Sequence, residues 1–338
     1  MTAQPTLKPV RLLRLNLLLA LLVVVLFVAS FMAGQAPLKF ADVFLNLLSD
    51  DRNAAALVVQ EIRLPRSILA VLIGASLGMA GAALQGLLRN PLAEPGLIGV
   101  SGGASLGAVL MFYFGVSSTF AYALPLGGMI GAFVAASALY VLAGRAGSIF
   151  TLILAGIAIN SVAGALVSLA LNLAPSQYAA LEIAYWLLGS LADRSHDHVL
   201  LAAPFILIGW LLMLSTGRAL DALTLGDETA ASLGFDLRAV QWKLILGITL
   251  AVGAGTAVAG GVAFVGLIVP HLIRPFVQHQ PSKLLLSSGL GGAALLLAAD
   301  IFVRAVPLGP ELKLGVVTAL IGAPFFLVLV LRARGTTA

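Results

Sequence analysis

Apolar residues in this chain come in long unbroken runs, separated by short polar interruptions, with little alternation inside a run. Runs of helical length fall near 12–34, 64–87, 95–115, 121–143, 150–173, 198–216, 239–260, 261–278, 284–303 and 312–332. A bilayer core about 30 Å thick takes about 20 apolar residues in a helix rising 1.5 Å per residue. The pattern therefore predicts ten membrane-spanning helices in one transmembrane domain, 1–338, an all-α polytopic membrane protein. Two of the ten need an argument. The run from Leu244 to Ile273 is too long for one span and is split at Gly260-Gly261. The third span begins amid Pro91 and Pro95 and is expected to start inside the membrane, where irregular backbone survives only beside protein or a cavity.

The longest instructive interruption is Thr216 to Arg238. Its chemistry is that of two short soluble helices. The first is expected around Ala219 to Leu225, broken by Gly226; the second is expected to be capped by Asp227, with Glu228 at its positive end and Gly234 left-handed just past its last turn. A helical knob of this kind at a membrane surface points to docking.

Within the spans, small residues recur every fourth position: Gly74, Gly78, Ala82 and Gly86, then Gly99, Gly103 and Gly107, then Gly247, Ala251, Gly255 and Ala259. Such faces let helices approach closely in lipid. They indicate compactness and say nothing of cargo.

Composition agrees with the pattern. The chain is 60% hydrophobic and 10% charged, where soluble domains carry about 25% charged residues. It has no cysteine, which excludes disulfides, thiolate metal sites and cysteine nucleophiles. Its basic balance is read as membrane topology, with lipid and not nucleic acid as partner. Lys8, Arg11 and Arg14 precede the first run, which exceeds the roughly 7–15 residues of a signal-peptide core, so it is read as a retained helix. With that terminus inside, Lys8, Arg11, Arg14, Arg89, Arg145, Arg218, Arg238, Lys243, Arg274, Lys283, Arg332 and Arg334 are cytoplasmic, while Lys39, Arg52, Arg63, Arg66, Arg194, Arg304 and Lys313 are outside. Twelve against seven satisfies the positive-inside rule, places both termini in the cytoplasm, and puts the knob there too.

No lysine follows a glycine, so there is no P-loop and any ATPase is a separate chain. His196 and His198 are read as residues of a solvated outer loop; no metal site or cofactor is expected. Charge inside the spans is nearly absent: Asn160 and Ser161 lie in the fifth, and Asp300 and Arg304 one turn apart in the ninth. Carriers driven by protons or sodium usually hold ionisable groups or broken helices near the midplane. Transport driven from outside the chain fits better than an ion- or proton-coupled secondary carrier, a passive pore or a scaffold, though these stay open at this point.

Several runs resemble one family. They are Arg63-Leu64-Pro65-Arg66, Leu84-Gln85-Gly86, Arg89-Asn90-Pro91-Leu92-Ala93-Glu94-Pro95-Gly96, Tyr185-Trp186-Leu187-Leu188-Gly189-Ser190, Gly266-Leu267-Ile268-Val269-Pro270-His271 and Gly315-Val316-Val317-Thr318. In order along nearly the whole chain, they resemble the FecCD permeases of binding-protein-dependent ABC importers for iron–siderophore complexes, haem and cobalamin. The resemblance implies a type II ABC importer permease-like fold, with two permease subunits, identical or related, around a pathway. It implies two cytoplasmic ABC ATPase subunits, a periplasmic substrate-binding protein, an iron chelate as cargo and a bacterial inner membrane. It assigns ATPase coupling to about 218–236, here Leu220, Leu223, Leu225, Gly226, Asp227, Glu228, Ala230, Leu233 and Gly234. It assigns binding-protein docking to Arg63, Arg66 and Arg304, and the cytoplasmic gate to Asn90, Leu92, Ser148 and Ile149. The fifth and tenth spans are implied to line the pathway and the dimer contact, with Asn160, Gly164 and Ser168 as lining residues. Gly147-Ser148-Ile149-Phe150 is less polar than the hydroxyl-rich gate of the cobalamin importer, a departure that speaks against cobalamin as cargo; within the family, siderophore is the first expectation, haem the next and cobalamin the third.

Overall fold

The computed structural model describes residues 9–34, 43, 45, 46, 53–144, 148–306 and 311–335. Lys8, Lys39, Arg52, Arg145 and Gly147, used above for topology and gate, lie outside the described residues. Among the described residues the regular elements are helical. In chain order they are α1 (Pro9–Ser30), α2 (Ala54–Leu57) leading through a π turn into α3 (Leu64–Leu87), α4 (Val100–Tyr113), α5 (Ala123–Ala143), α6 (Ile149–Asn172), α7 (Gln177–Leu187), α8 (His196–Ser215), α9 (Gly217–Leu223), α10 (Asp227–Ser232), α11 (Leu237–Ala259), α12 (Val265–Ile273), α13 (Pro281–Ala305) and α14 (Leu314–Gly335). Seven are long and apolar enough to cross a membrane: α1, α3 with its lead-in, α5, α6, α8, α11 and α13. Three further apolar helices accompany them, α4, α12 with its 3₁₀ extension, and α14, whose apolar part runs over Leu314–Leu329.

The small-residue faces each meet a partner. Gly74 and Gly78 of α3 lie against Gly292 and Ser288 of α13; a Cβ at Gly78 would stand 2.0 Å from the Ser288 carbonyl oxygen. Gly103 and Gly107 of α4 face Gly131 and Gly127 of α5, and Gly247 of α11 faces Gly209 of α8. These three helix pairs share the most extensive contacts. Without a hydrophobic drive between helices in lipid, close backbone approach supplies the dispersion that holds them. α3, α11 and α13 form the buried centre, while α1 and α6 are peripheral.

The hydrogen bonds orient the helices. Ser287 donates to Asn16 at 2.7 Å near the starts of α13 and α1, and Arg304 donates to the Ser30 carbonyl at 2.9 Å near their ends, so α1 and α13 run parallel. α3 starts beside the end of α13 and finishes beside the knob. α14 starts at the Arg66 end and runs in the direction of α3, opposite to α1 and α13, so α1 begins and α14 finishes on the knob side.

The break expected at Gly260 is present. α11 stops at Ala259, Gly260 takes φ +74°, and α12 starts after Phe264 at φ +67°. α4 has 14 residues, about 21 Å of rise, short of the roughly 30 Å core. A 3₁₀ turn, Pro95–Ile98, precedes it, and the Gly96 carbonyl accepts from Asn160 Nδ2 at 2.8 Å, level with the middle of α6. The start of α4 therefore sits at mid-depth.

Two expectations need correction. Asp227 is not the cap of the second knob helix: Gly226 is, at φ +102° and without a side-chain bond, because the Asp227 carboxylate pairs with Arg89 at 3.0 Å. His196 and His198 are not in a solvated loop but in the first turn of α8. His198 Nδ1 closes a capping box with Ser195, and His196 Nε2 lies 2.8 Å from the Gln60 carbonyl. α7, unforeseen among the apolar runs, starts at Ser176, whose hydroxyl accepts from Ala179 N at 3.1 Å.

Candidate functional site

At one end stands the knob. Leu220, Leu223 and Ala230 are buried and anchor it to the body. Leu225 and Leu233 stand 65% and 60% exposed, with Asp227, Glu228 and Gly234 exposed beside them. Gly234, at φ +89°, ends α10 in a paired C-terminal motif: Gly234 N donates to the Ala231 carbonyl at 2.9 Å and Phe235 N to that of Ala230 at 3.2 Å. Of the nine coupling residues expected, three hold the knob in place. The remainder, with Gly226 between the helices, make a projecting surface with two bare leucines, a form suited to an apolar recess in another protein.

Arg89 joins the knob to the gate region. Asn90 is exposed and its Oδ1 accepts from Leu92 N at 2.9 Å, shaping the turn after α3. Ser148 caps α6 by accepting from Thr151 N at 3.1 Å, and with Ile149 it lines a cleft of about 340 Å³ that also touches Asp227, Arg238 and Trp242. Both halves of the expected gate thus adjoin Asp227, one through Arg89 and one through this cleft.

Asn160, Gly164 and Ser168 lie on α6, and the structure separates them. Asn160 is spent on the Gly96 carbonyl and braces the start of α4. Gly164 and Ser168 are exposed on the face opposite the buried one, with Ser161; both hydroxyls bond to carbonyls of their own helix. A cavity of about 610 Å³ lies instead between the broken segments, lined by Glu94, Ser101, Leu187, Phe264, Ala319 and Ala323 among others. Glu94 is a carboxylate in the loop before α4, and it lines this cavity together with Phe264 of the loop before α12. Beside it, Gly315 at the start of α14 meets backbone directly, where a Cβ would stand 2.2 Å from the Gly261 oxygen and 2.3 Å from that of Leu188.

At the end away from the knob, Arg63, Arg66 and Arg304 converge, but as a buried cluster. Arg66 donates Nε to Asp300 at 2.8 Å and grips Glu311 at 2.5 and 3.2 Å. Arg304 pairs with the other Asp300 oxygen at 2.8 Å and donates to the Ser30 and Ala33 carbonyls. Arg63 bonds to the Phe31 carbonyl. Asp300 is wholly buried, whereas the Glu311 side chain is 33% exposed. At the same end, Arg194 lines a cleft of about 390 Å³ with Glu182, Tyr185 and Lys313 and forms no ion pair among the described residues. Burial pushes its guanidinium below the ordinary value, opposed by neighbouring Asp193.

The sequence profile of the FecCD transport family matches residues 21–332. The chain belongs to the FecCD transport family. It is 38% identical over 320 residues to the hemin transport system permease protein of Yersinia pestis, covering 94% of this chain and 95% of that one. It is 41% identical over 277 residues to a vitamin B12 import system permease protein of Vibrio cholerae, covering 81% and 83%. A third relative is an Fe(3+)-citrate import system permease protein of Bacillus subtilis, 38% identical over 315 residues and 93% of each chain. Among solved structures, an inward-facing conformation of a putative metal-chelate type ABC transporter superposes with a TM-score of 0.84 at 31% identity, covering 94% of this chain and 99% of that one. This FecCD permease is therefore a membrane transport subunit.

Proposed function

We propose that this FecCD permease is one of two transmembrane subunits that import an iron chelate, siderophore-bound iron or haem, across a bacterial inner membrane. ATP is hydrolysed by two separate ATPase subunits, and a periplasmic binding protein delivers the cargo. The chain is a single domain crossing ten times, the seven long helices with α4, α12 and α14 supplying the other three spans, and both termini are cytoplasmic. The observation that carries this reading is the knob, a pair of short helices anchored by buried residues and projecting Leu225 and Leu233. In this arrangement the ATPases seize Leu225, Asp227, Glu228 and Leu233, while Leu220, Leu223 and Ala230 pass the movement inward. Asn90, Leu92, Ser148 and Ile149 close the inner gate. The polar stripe of α6 (Ser161, Gly164, Ser168) and the exposed face of α14 look toward the second subunit and the pathway, because a polar stripe turned to lipid is unfavourable.

The arginine face receives the binding protein, with a carboxylate of that protein taking the place of Glu311 on Arg66. The fork of arginine suits such an exchange, since it pairs with any carboxylate in one geometry. Reconstitution with the ATPase and binding protein in proteoliposomes is the test. ATP-dependent uptake of a ferric chelate or hemin, lost when residues 227–233 are scrambled while hydrolysis persists, is expected. Full-rate uptake without the ATPase, under a proton or sodium gradient, would overturn the reading in favour of a secondary carrier. Selective uptake of cobalamin would move the cargo within the same system.

A further inference from the structure

α13 begins with Gln280 at the capping position and Pro281 in its first turn, and Gln280 makes no side-chain cap bond of its own. The first turn of a helix presents backbone N–H groups without intrahelical partners, and a carboxylate is the group best suited to receive them. Here the carboxylate comes from another helix. Asp221, on α9 of the knob, accepts from Ser282 N at 2.8 Å through Oδ1. Its Oδ2 accepts from Ser282 Oγ at 2.6 Å and from Gln280 Nε2 at 2.8 Å. Around this joint Gly217 packs on Ser282, and a Cβ at Gly86 would touch both Leu220 and Pro281.

The far end of α13 carries Asp300 and Arg304, the centre of the buried ion cluster, and through Arg66 that cluster reaches Glu311 at the threshold of α14. One rigid rod of 25 residues therefore has its cap in the knob and its other end in the arginine cluster. We propose that Asp221 is a positioning residue for transport: the joint through which displacement of the knob is delivered to α13, and from α13 to the face away from the knob. This rests on the reading of the knob as the ATPase contact. Asp221 touches neither cargo nor nucleotide in this role. It binds the knob to one particular helix, so that the knob cannot tilt without carrying the start of α13 with it.

The test uses the assembled importer in proteoliposomes and compares Asp221→Ala and Asp221→Asn with Gln280→Ala/Ser282→Ala, which removes the two side-chain donors and leaves the carboxylate only the Ser282 backbone N–H. Expected is a fall of at least tenfold in cargo moved per ATP split, with hydrolysis retained. Combining Asp221→Ala with the donor changes should lower it no further. A structural readout accompanies this on the permease alone: the chain has no cysteine, so Leu225→Cys and Leu286→Cys, both at exposed sites, accept spin labels cleanly. Their distance distribution should be narrow in the parent and broaden in Asp221→Ala and in the donor variant alike. Unchanged cargo per ATP, additive losses, or hydrolysis and transport falling in proportion would each overturn the proposal, as would a distance distribution as narrow as in the parent. A parent complex that neither splits ATP nor imports would instead refute the underlying transport reading, which separates the two failures.

Discussion

Glu311 holds Arg66 by both carboxylate oxygens, yet it is the rim member of a cluster whose centre, Asp300, is sealed from solvent. Asp300 binds Arg66 and Arg304 together and is structural. Glu311 covers the Arg66 guanidinium from the rim of the cluster, and it lies three residues before α14.

Glu311→Gln should therefore tighten binding of the delivery protein. A partly exposed pair is worth about 1 kcal/mol, which is about fivefold in Kd. Arg66→Ala should weaken it. Titration of the binding protein onto permease in nanodiscs measures both; equal affinity for Glu311→Gln and the parent would show that Glu311 does not compete.

Asp300→Ala should be far more damaging to the fold than Glu311→Gln. Removing one partner from a buried ion pair costs about 3–5 kcal/mol, and here Arg304 loses its carboxylate while Arg66 is left with Glu311 alone. The readout is the unfolding midpoint of the purified permease: a large fall for Asp300→Ala and a small one for Glu311→Gln.

Gly78→Ala and Gly164→Ala should separate packing from lining. The first places a methyl group 2.0 Å from the Ser288 oxygen and must push α3 off α13, at a cost of about 1–3 kcal/mol or more. The second meets nothing within 4 Å. Thermal stability should fall for Gly78→Ala and hold for Gly164→Ala, whose effect, if any, should appear only in transport.

Arg89 and Asp227 form an exposed pair, so its loss should change stability by less than about 1 kcal/mol. Reversing either charge should still lower ATP-coupled uptake, and exchanging both, Arg89→Asp with Asp227→Arg, should restore part of it. Uptake that ignores both single reversals would remove the pair from the pathway between knob and gate.

Most of the architecture was legible because lipid imposes simple rules. Run length gave the long helices, four-residue spacing gave the seams, and Gly260-Gly261 gave the break after α11. Gly234 was readable because few other residues tolerate the conformation that ends α10. The cap at Asp227 was misread because a side chain that suits a local bond was taken by Arg89, remote in sequence. α7 escaped because its 11 residues follow closely on α6 and no run of spanning length marks them. Long-range side-chain partners were the least visible. Asp221 caps α13, 61 residues later, and nothing in local spacing encodes that. The arginines were singled out by resemblance, and only the folded chain reveals how thoroughly Asp300 and Glu311 already occupy two of them.

The meeting of Gly315 with the carbonyls of Leu188 and Gly261 also constrains how this chain can change over generations. Main chain rests on main chain there, so no bulkier residue can be introduced without prising the wall apart. Under the proposed reading, a change of cargo would have to leave that joint alone and work through the bordering side chains, Leu187, Val316, Ala319, Leu320 and Ala323.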